Sequence, residues 1–200
     1  MTKVCRIMSM VGIVLLLGIS TPAAPLVSSI MPLTDETGLQ RCTVFSINTF
    51  QHYWLTAGHC VADGEPRFIG IHATAIVTSY WGPDGDWAVL VSPAIARYLP
   101  LADGPPRVGQ EVTIVGFVAN IEGLLRVKTV LAGHNAQLVN GPNSDVFVSS
   151  GGPGHSGSPV LRKGRVVGLY WGRHYAVERG FAIPWETLHT HLGQYWESDE

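Results

Sequence analysis

Three short stretches of this chain carry side chains that could act on one another: Leu55-Thr56-Ala57-Gly58-His59-Cys60, Asp86-Trp87-Ala88-Val89-Leu90 and Gly154-His155-Ser156-Gly157-Ser158-Pro159. A serine hydroxyl is a poor nucleophile until an imidazole takes its proton. The imidazole in turn needs a carboxylate to hold its tautomer and orientation. His59, Asp86 and Ser156 supply these types in the order histidine, aspartate, serine. Asp84 competes with Asp86, but Gly82-Pro83-Asp84-Gly85 is a turn sequence in which an aspartate bonds backbone. Asp86 is therefore preferred. Glycines around Ser156 would let backbone N–H groups turn toward a developing oxyanion, which a side chain would obstruct. Ser158 is the rival nucleophile and reads as a turn hydroxyl before Pro159.

The elements that must position these residues read as short strands. Tyr53–Thr56 is an apolar run ending in small residues before His59, and Trp87–Val91 reads as a buried strand headed by Asp86. Further β-type runs at 43–48, 67–71, 73–79, 111–118, 125–132, 145–149, 159–162, 165–171 and 180–183 are separated by Gly, Pro, Asn and Asp. That recurrence predicts an all-β chain of barrels or sandwiches. Residues 101–106 read as the linker between two halves, about 40–100 and about 108–183. The spacing of Trp185, Leu188, Leu192 and Trp196 predicts a closing helix over about 184–196. His189 and His191 on that helix are two apart and do not share a face, so they read as surface histidines and not as a metal pair.

Residues 1–24 have the layout of a secretory signal: Lys3 and Arg6, an apolar run from Met8 to Ile19, then Thr21-Pro22-Ala23-Ala24. The run is shorter than the roughly 20 residues of a spanning helix, and cleavage near Ala23 or Ala24 is preferred over an uncleaved membrane anchor. The remaining 25–200 form the expected domain, placed in a secreted or extracytoplasmic setting. Without Lys3 and Arg6 the 13 basic residues fall to 11 against 15 acidic, and the formal charge moves from −2 to −4. Charges are scattered with no basic run, which excludes a nucleic-acid or anionic-membrane surface.

The three blocks together resemble the chymotrypsin-like (trypsin-like) serine proteases over residues 40–192. The resemblance implies two six-stranded antiparallel β-barrels with the active site in the cleft between them. It implies a polypeptide substrate, no metal or organic cofactor, and a monomer. It assigns His59 as general base, Asp86 as its orienting carboxylate, Ser156 as nucleophile, and the N–H groups of Gly154 and Ser156 as the oxyanion hole. It also implies a Cys42–Cys60 disulfide beside the base, leaving Cys5 in the leader.

Specificity follows from the same resemblance. Ser150, six residues before the nucleophile, would line the pocket floor, and a neutral serine there predicts no preference for Arg or Lys. Gly168-Leu169-Tyr170-Trp171-Gly172 resembles the strand that binds substrate backbone, and Gly172 and Gly180 match wall positions that leave room for a bulky side chain. The expectation is a weak preference for large apolar residues. The second half is closest in look to bacterial glutamyl endopeptidases. Tyr170 replaces the histidine that reads an acidic substrate in those enzymes, so acidic specificity through Arg173 and His174 ranks second. His155 stands where zymogens of the family carry an aspartate, and no Ile-Val-Gly-Gly start precedes Cys42. Activation by a newly cut N-terminus is therefore not expected. The rival from another class is a catalytically silent binding protein on the same scaffold.

Overall fold

The structure is a computed structural model and describes residues 28–119, 121–138, 141–174, 176 and 178–198. The leader and Cys5 lie outside these residues.

The first half is one antiparallel sheet. Its strands are β1 (Ile30–Thr34), β2 (Gln40–Asn48), β3 (Tyr53–Thr56), β4 (Phe68–Ile69), β5 (His72–Ala73), β6 (Ala75–Gly82) and β7 (Gly85–Val91). They lie in the order β5-β4-β1-β2-β3-β7-β6. The middle of the sheet is formed by the most apolar runs: all but the first two residues of β2 and all but the last of β7 are buried. The sheet does not close. β5 at one edge and β4 beside it have only two residues each, in a stretch interrupted by Gly64, Pro66 and Gly70, and β6 at the far edge is largely exposed. β1 also adds a strand upstream of residue 40, where the sequence alone placed the start of this half.

The second half is the expected six-stranded barrel. β8 (Glu111–Phe117), β9 (Leu124–Ala136), β10 (Ser144–Phe147), β11 (Ser158–Arg162), β12 (Arg165–His174) and β13 (Arg179–Pro184) close in the order β10-β13-β12-β11-β8-β9. Its interior is filled by Ile114, Leu131, Phe147, Val160, Val167 and Tyr170.

A third cluster joins the halves. Phe45, Ile47 and Leu55 of the first sheet pack with Val166, Leu169 and Ile183 of the barrel and with Leu188, Leu192 and Trp196 at the C-terminal end. Leu188 and Leu192 come from helix α1 (Trp185–Leu192). Each fully buried leucine of this kind contributes ~1.5–3 kcal/mol. The stretch read as a linker is tied down, since Ala102 and Val166 exchange backbone bonds with their neighbours and the Trp185 and Trp196 indoles donate to the carbonyls of Ala102 and Leu99. The two halves are thereby held at a fixed separation, with the catalytic candidates on both sides.

Candidate active site

His59 is placed by the end of β3. The chain leaves Thr56, passes Ala57 and makes one tight turn, Gly58–Cys60, which leaves His59 half-buried at the surface of the first half. Gly58 is required by close approach. A Cβ there would run into the carbonyl oxygen of Tyr80 and come within 3.0 Å of Asp86 Oδ1. The turn is tied to β2 by the Cys42–Cys60 disulfide, with its Cα atoms 6.2 Å apart.

Asp86 reaches the same turn from β7, which pairs with β3. Its carboxylate is 1% exposed and binds His59 twice. His59 Nδ1–H donates to Oδ2 at 2.6 Å, and the His59 backbone N–H donates to Oδ1 at 2.8 Å. The two bonds fix the ring's position and leave Nε2 as its free nitrogen. Asp84 lies in the turn outside this pair, where its carboxylate accepts from the Tyr80 hydroxyl at 3.3 Å.

Ser156 comes from the loop between β10 and β11. Gly154 and Gly157 there have φ of +90° and +85°, a region L-residues rarely adopt. The N–H groups of Gly154 and Ser156 donate no hydrogen bond among the described residues. The Ser156 hydroxyl donates to the carbonyl of Trp171 at 2.9 Å, and no hydrogen bond joins it to His59 Nε2. Ser158 is fully buried, so it is not available as a nucleophile.

His155 points away from Ser156 into the protein, edge-on to Tyr170 with ring centroids 6.2 Å apart. Its Nδ1 accepts from the Gly152 N–H at 3.0 Å. Burial pushes its pKa below the ordinary histidine value, against a smaller opposing pull from the Gly116 carbonyl. The ring is held neutral, as an acceptor at Nδ1 requires.

Tyr170 is 1% exposed, its hydroxyl accepts from the Gly151 N–H at 3.0 Å, and a Cβ on Gly180 would lie 3.1 Å from its ring. The same Cβ would lie 3.3 Å from Ser150 Cα. It would lie closest, 2.9 Å, to the Ser149 carbonyl oxygen, so Gly180 packs directly against both the Ser149–Ser150 segment and the Tyr170 ring. Gly172 has open space beside it. Trp171 is anchored through its indole N–H to Ser144 Oγ at 2.9 Å and packs on Phe181.

Cys42, His59 and Cys60 are close enough to suggest a metal group. Both sulfurs are consumed by the disulfide and Nδ1 is bonded to Asp86, so the cluster has no ligand set to offer. His189 and His191 are exposed on α1, stacked on Trp185 and Trp87 respectively. Sequence reasoning did not find Thr43, which contacts the Ser156 loop from β2, nor a second histidine–carboxylate pair. In that pair His134 Nδ1–H donates to Asp145 at 2.8 Å. Neither carries a local signal: their partners are distant in the chain or on another strand.

Comparison with known proteins agrees with this fold. The structure of the Rv3671c protease from M. tuberculosis in its active form is 18% identical, covers 96% of this chain and 93% of that one, and gives a TM-score of 0.64. An inactive form of the same protein gives 0.66 at 20% identity, covering 83% and 88%. A serine endoprotease from Yersinia pestis gives 0.64 at 19% identity, covering 84% of this chain and 62% of that one. At such identities the likeness is one of fold. No curated protein matches the sequence. The family model described as a trypsin-like peptidase domain matches residues 42–169. That span is more than half of the chain and takes in His59, Asp86 and Ser156, and the chain belongs to the trypsin-like peptidase family.

Proposed function

We propose that this peptidase domain cuts polypeptides by acyl transfer through Ser156, His59 and Asp86. The observation that carries the reading is the double hold of Asp86 on His59, at 2.6 and 2.8 Å, which presents Nε2 as the proton acceptor. Ser156 Oγ bonds to the scissile carbonyl carbon as its proton passes to His59 Nε2. The carbonyl oxygen takes the negative charge and is received by the free N–H groups of Gly154 and Ser156. Collapse of the tetrahedral species breaks the C–N bond, and the amine leaves with the proton from His59. Water then repeats the sequence on the ester and restores Ser156. Losing one oxyanion donor costs about 3–4 kcal/mol in such a step.

The substrate side chain before the scissile bond is proposed to be small and uncharged. Ser150 offers no charge, and the Ser149–Ser150 segment and the Tyr170 ring both crowd Gly180 and leave little space beside it. The enzyme is proposed to act as a monomer outside the cytoplasm. The formed Cys42–Cys60 bond suits an oxidising compartment, and among the described residues no helix is long and apolar enough to cross a membrane.

A silent binding protein is the second reading, and the Ser156–Trp171 bond is the observation in its favour. Labelling the leaderless protein with a fluorophosphonate probe separates the two, with Ser156→Ala as control. Labelling of the wild type alone supports the enzyme, and no labelling supports the binding protein. A peptide series carrying Ala, Val, Phe, Glu or Arg before the cut then tests the pocket. Ala and Val are expected to lead; dominance of Phe would restore the larger preference and dominance of Glu the acidic one.

A further inference from the structure

The loop that carries Ser156 is held in an unusually complete way. Every carbonyl from Gly152 to Ser156 accepts a hydrogen bond. The Gly152 carbonyl takes the His155 N–H at 3.2 Å, Pro153 that of Ala119 at 2.8 Å, and His155 that of Ser158 at 2.9 Å. The remaining two go to one residue. The Gly154 carbonyl takes the Thr43 hydroxyl at 3.0 Å, and the Ser156 carbonyl takes the Thr43 N–H at 2.8 Å. A peptide is planar and almost always trans, so a pinned carbonyl also fixes the direction of the N–H on the far side of its plane.

Thr43 is fully buried on β2 and uses its polar atoms on three sides. Its hydroxyl accepts from the Phe117 N–H of β8 at 2.9 Å while donating to Gly154. Its carbonyl accepts from the Thr56 hydroxyl at 2.7 Å, on the strand that leads to His59. One residue, through its hydroxyl and its backbone, thus ties the first sheet, the barrel and the nucleophile loop. Among the residues bonded to those carbonyls, Thr43 alone comes from the half that holds His59 and Asp86. All of these partners belong to the described chain itself, and none is a chain terminus.

We propose that Thr43 is a positioning residue for the reaction: it sets where the Ser156 loop sits relative to His59 by holding the carbonyls on either side of His155. The proposal rests on the peptidase reading above. Loss of the hydroxyl would leave the Gly154–His155 peptide free to rotate and would loosen the barrel contact at Phe117. That peptide plane carries the His155 N–H; the oxyanion donors of Gly154 and Ser156 sit in the planes on either side of it and would lose their aim as it turns, while the groups that contact substrate side chains stay in place. The effect therefore falls on kcat and not on KM.

The test compares the wild type with Thr43→Val, which keeps the shape and removes the hydroxyl, and Thr43→Ser, which keeps the hydroxyl. Peptide hydrolysis and the affinity of a peptidyl boronate, which forms a tetrahedral adduct on serine, are measured on protein shown to be folded by its melting transition. Thr43→Val is expected to lower kcat by about 10- to 100-fold with KM within about threefold, the scale of a small misplacement. Boronate affinity should fall in parallel, and Thr43→Ser should recover most of both. Equal kcat in wild type and folded Thr43→Val overturns the positioning role, as does a loss in Thr43→Ser as large as in Thr43→Val. If Thr43→Val does not fold, Thr43→Ser decides alone: it must keep kcat within about threefold of the wild type, and a greater loss counts against the role. Failure of the wild type to hydrolyse peptide or label at Ser156 overturns the peptidase reading itself, and is seen before any variant is compared.

Discussion

The hydroxyl of Ser156 is bonded to the carbonyl of Trp171, 2.9 Å away. The reason lies in strand register. β12 and β13 pair Tyr170 with Ala182 and then Gly172 with Phe181, so Trp171 is skipped at a bulge. A bulged residue is left out of the ladder, and its carbonyl is available to the neighbouring loop.

Asp86→Asn tests the carboxylate that holds His59. An asparagine can keep the contact while stabilising the wrong histidine tautomer and losing the negative charge that favours imidazolium. With the proposed roles, kcat should fall about 10⁴-fold with KM near the wild-type value. Steady-state kinetics on a peptide ester and amide measures this. A fall of less than about tenfold would remove Asp86 from the mechanism.

Gly157→Ala should be far more damaging than Gly38→Ala, although both glycines have φ near +80°. A Cβ at Gly157 would sit on the Thr43 carbonyl and the Thr56 hydroxyl, whereas one at Gly38 meets nothing within 4 Å. The Gly38 variant bears only conformational strain, about 1–2 kcal/mol. The Gly157 variant adds a clash with buried backbone, for a total above about 4 kcal/mol. Urea denaturation of the two proteins gives the comparison, and similar midpoints would contradict it.

Asp145 makes a prediction about pH. Its carboxyl is 1% exposed, and burial pushes its pKa from 3.8 up to about 6, with the nearby Glu186 charge adding to the rise and His134 opposing it. Oδ1 accepts from His134 and Oδ2 has no partner among the described residues. A raised folded pKa means that the native state holds this proton more tightly than the unfolded chain. The associated stability is present below pH 3.8 and is lost as pH rises toward 6. Asp145→Asn removes the loss, so its stability relative to wild type should grow between pH 4 and 7 by up to about 3 kcal/mol. Denaturation at the two pH values reads it directly; an unchanged difference would mean that Asp145 does not carry this penalty.

The residue types and their order were legible without coordinates. Histidine after a strand and small residues, aspartate at the head of an apolar strand, and serine among glycines are local patterns, written in consecutive residues. The barrel strands and the C-terminal helix were legible for the same reason, since hydrophobic periodicity is a property of neighbours in the chain. Contacts made across the fold were not. Thr43 and Gly154 are 111 residues apart, and nothing near Thr43 in the chain announces that its hydroxyl will hold the nucleophile loop. Gly180 reads as a gap in sequence, yet the packed barrel brings the Tyr170 ring against it. The first half stays open because its two edge strands, β5 and β6, do not pair with each other, and Ser156 finds Trp171 because of a one-residue bulge. Chain order determined which chemical groups this protein carries; long-range packing and strand register decided which atoms meet, because those depend on distances that only the folded chain brings into being.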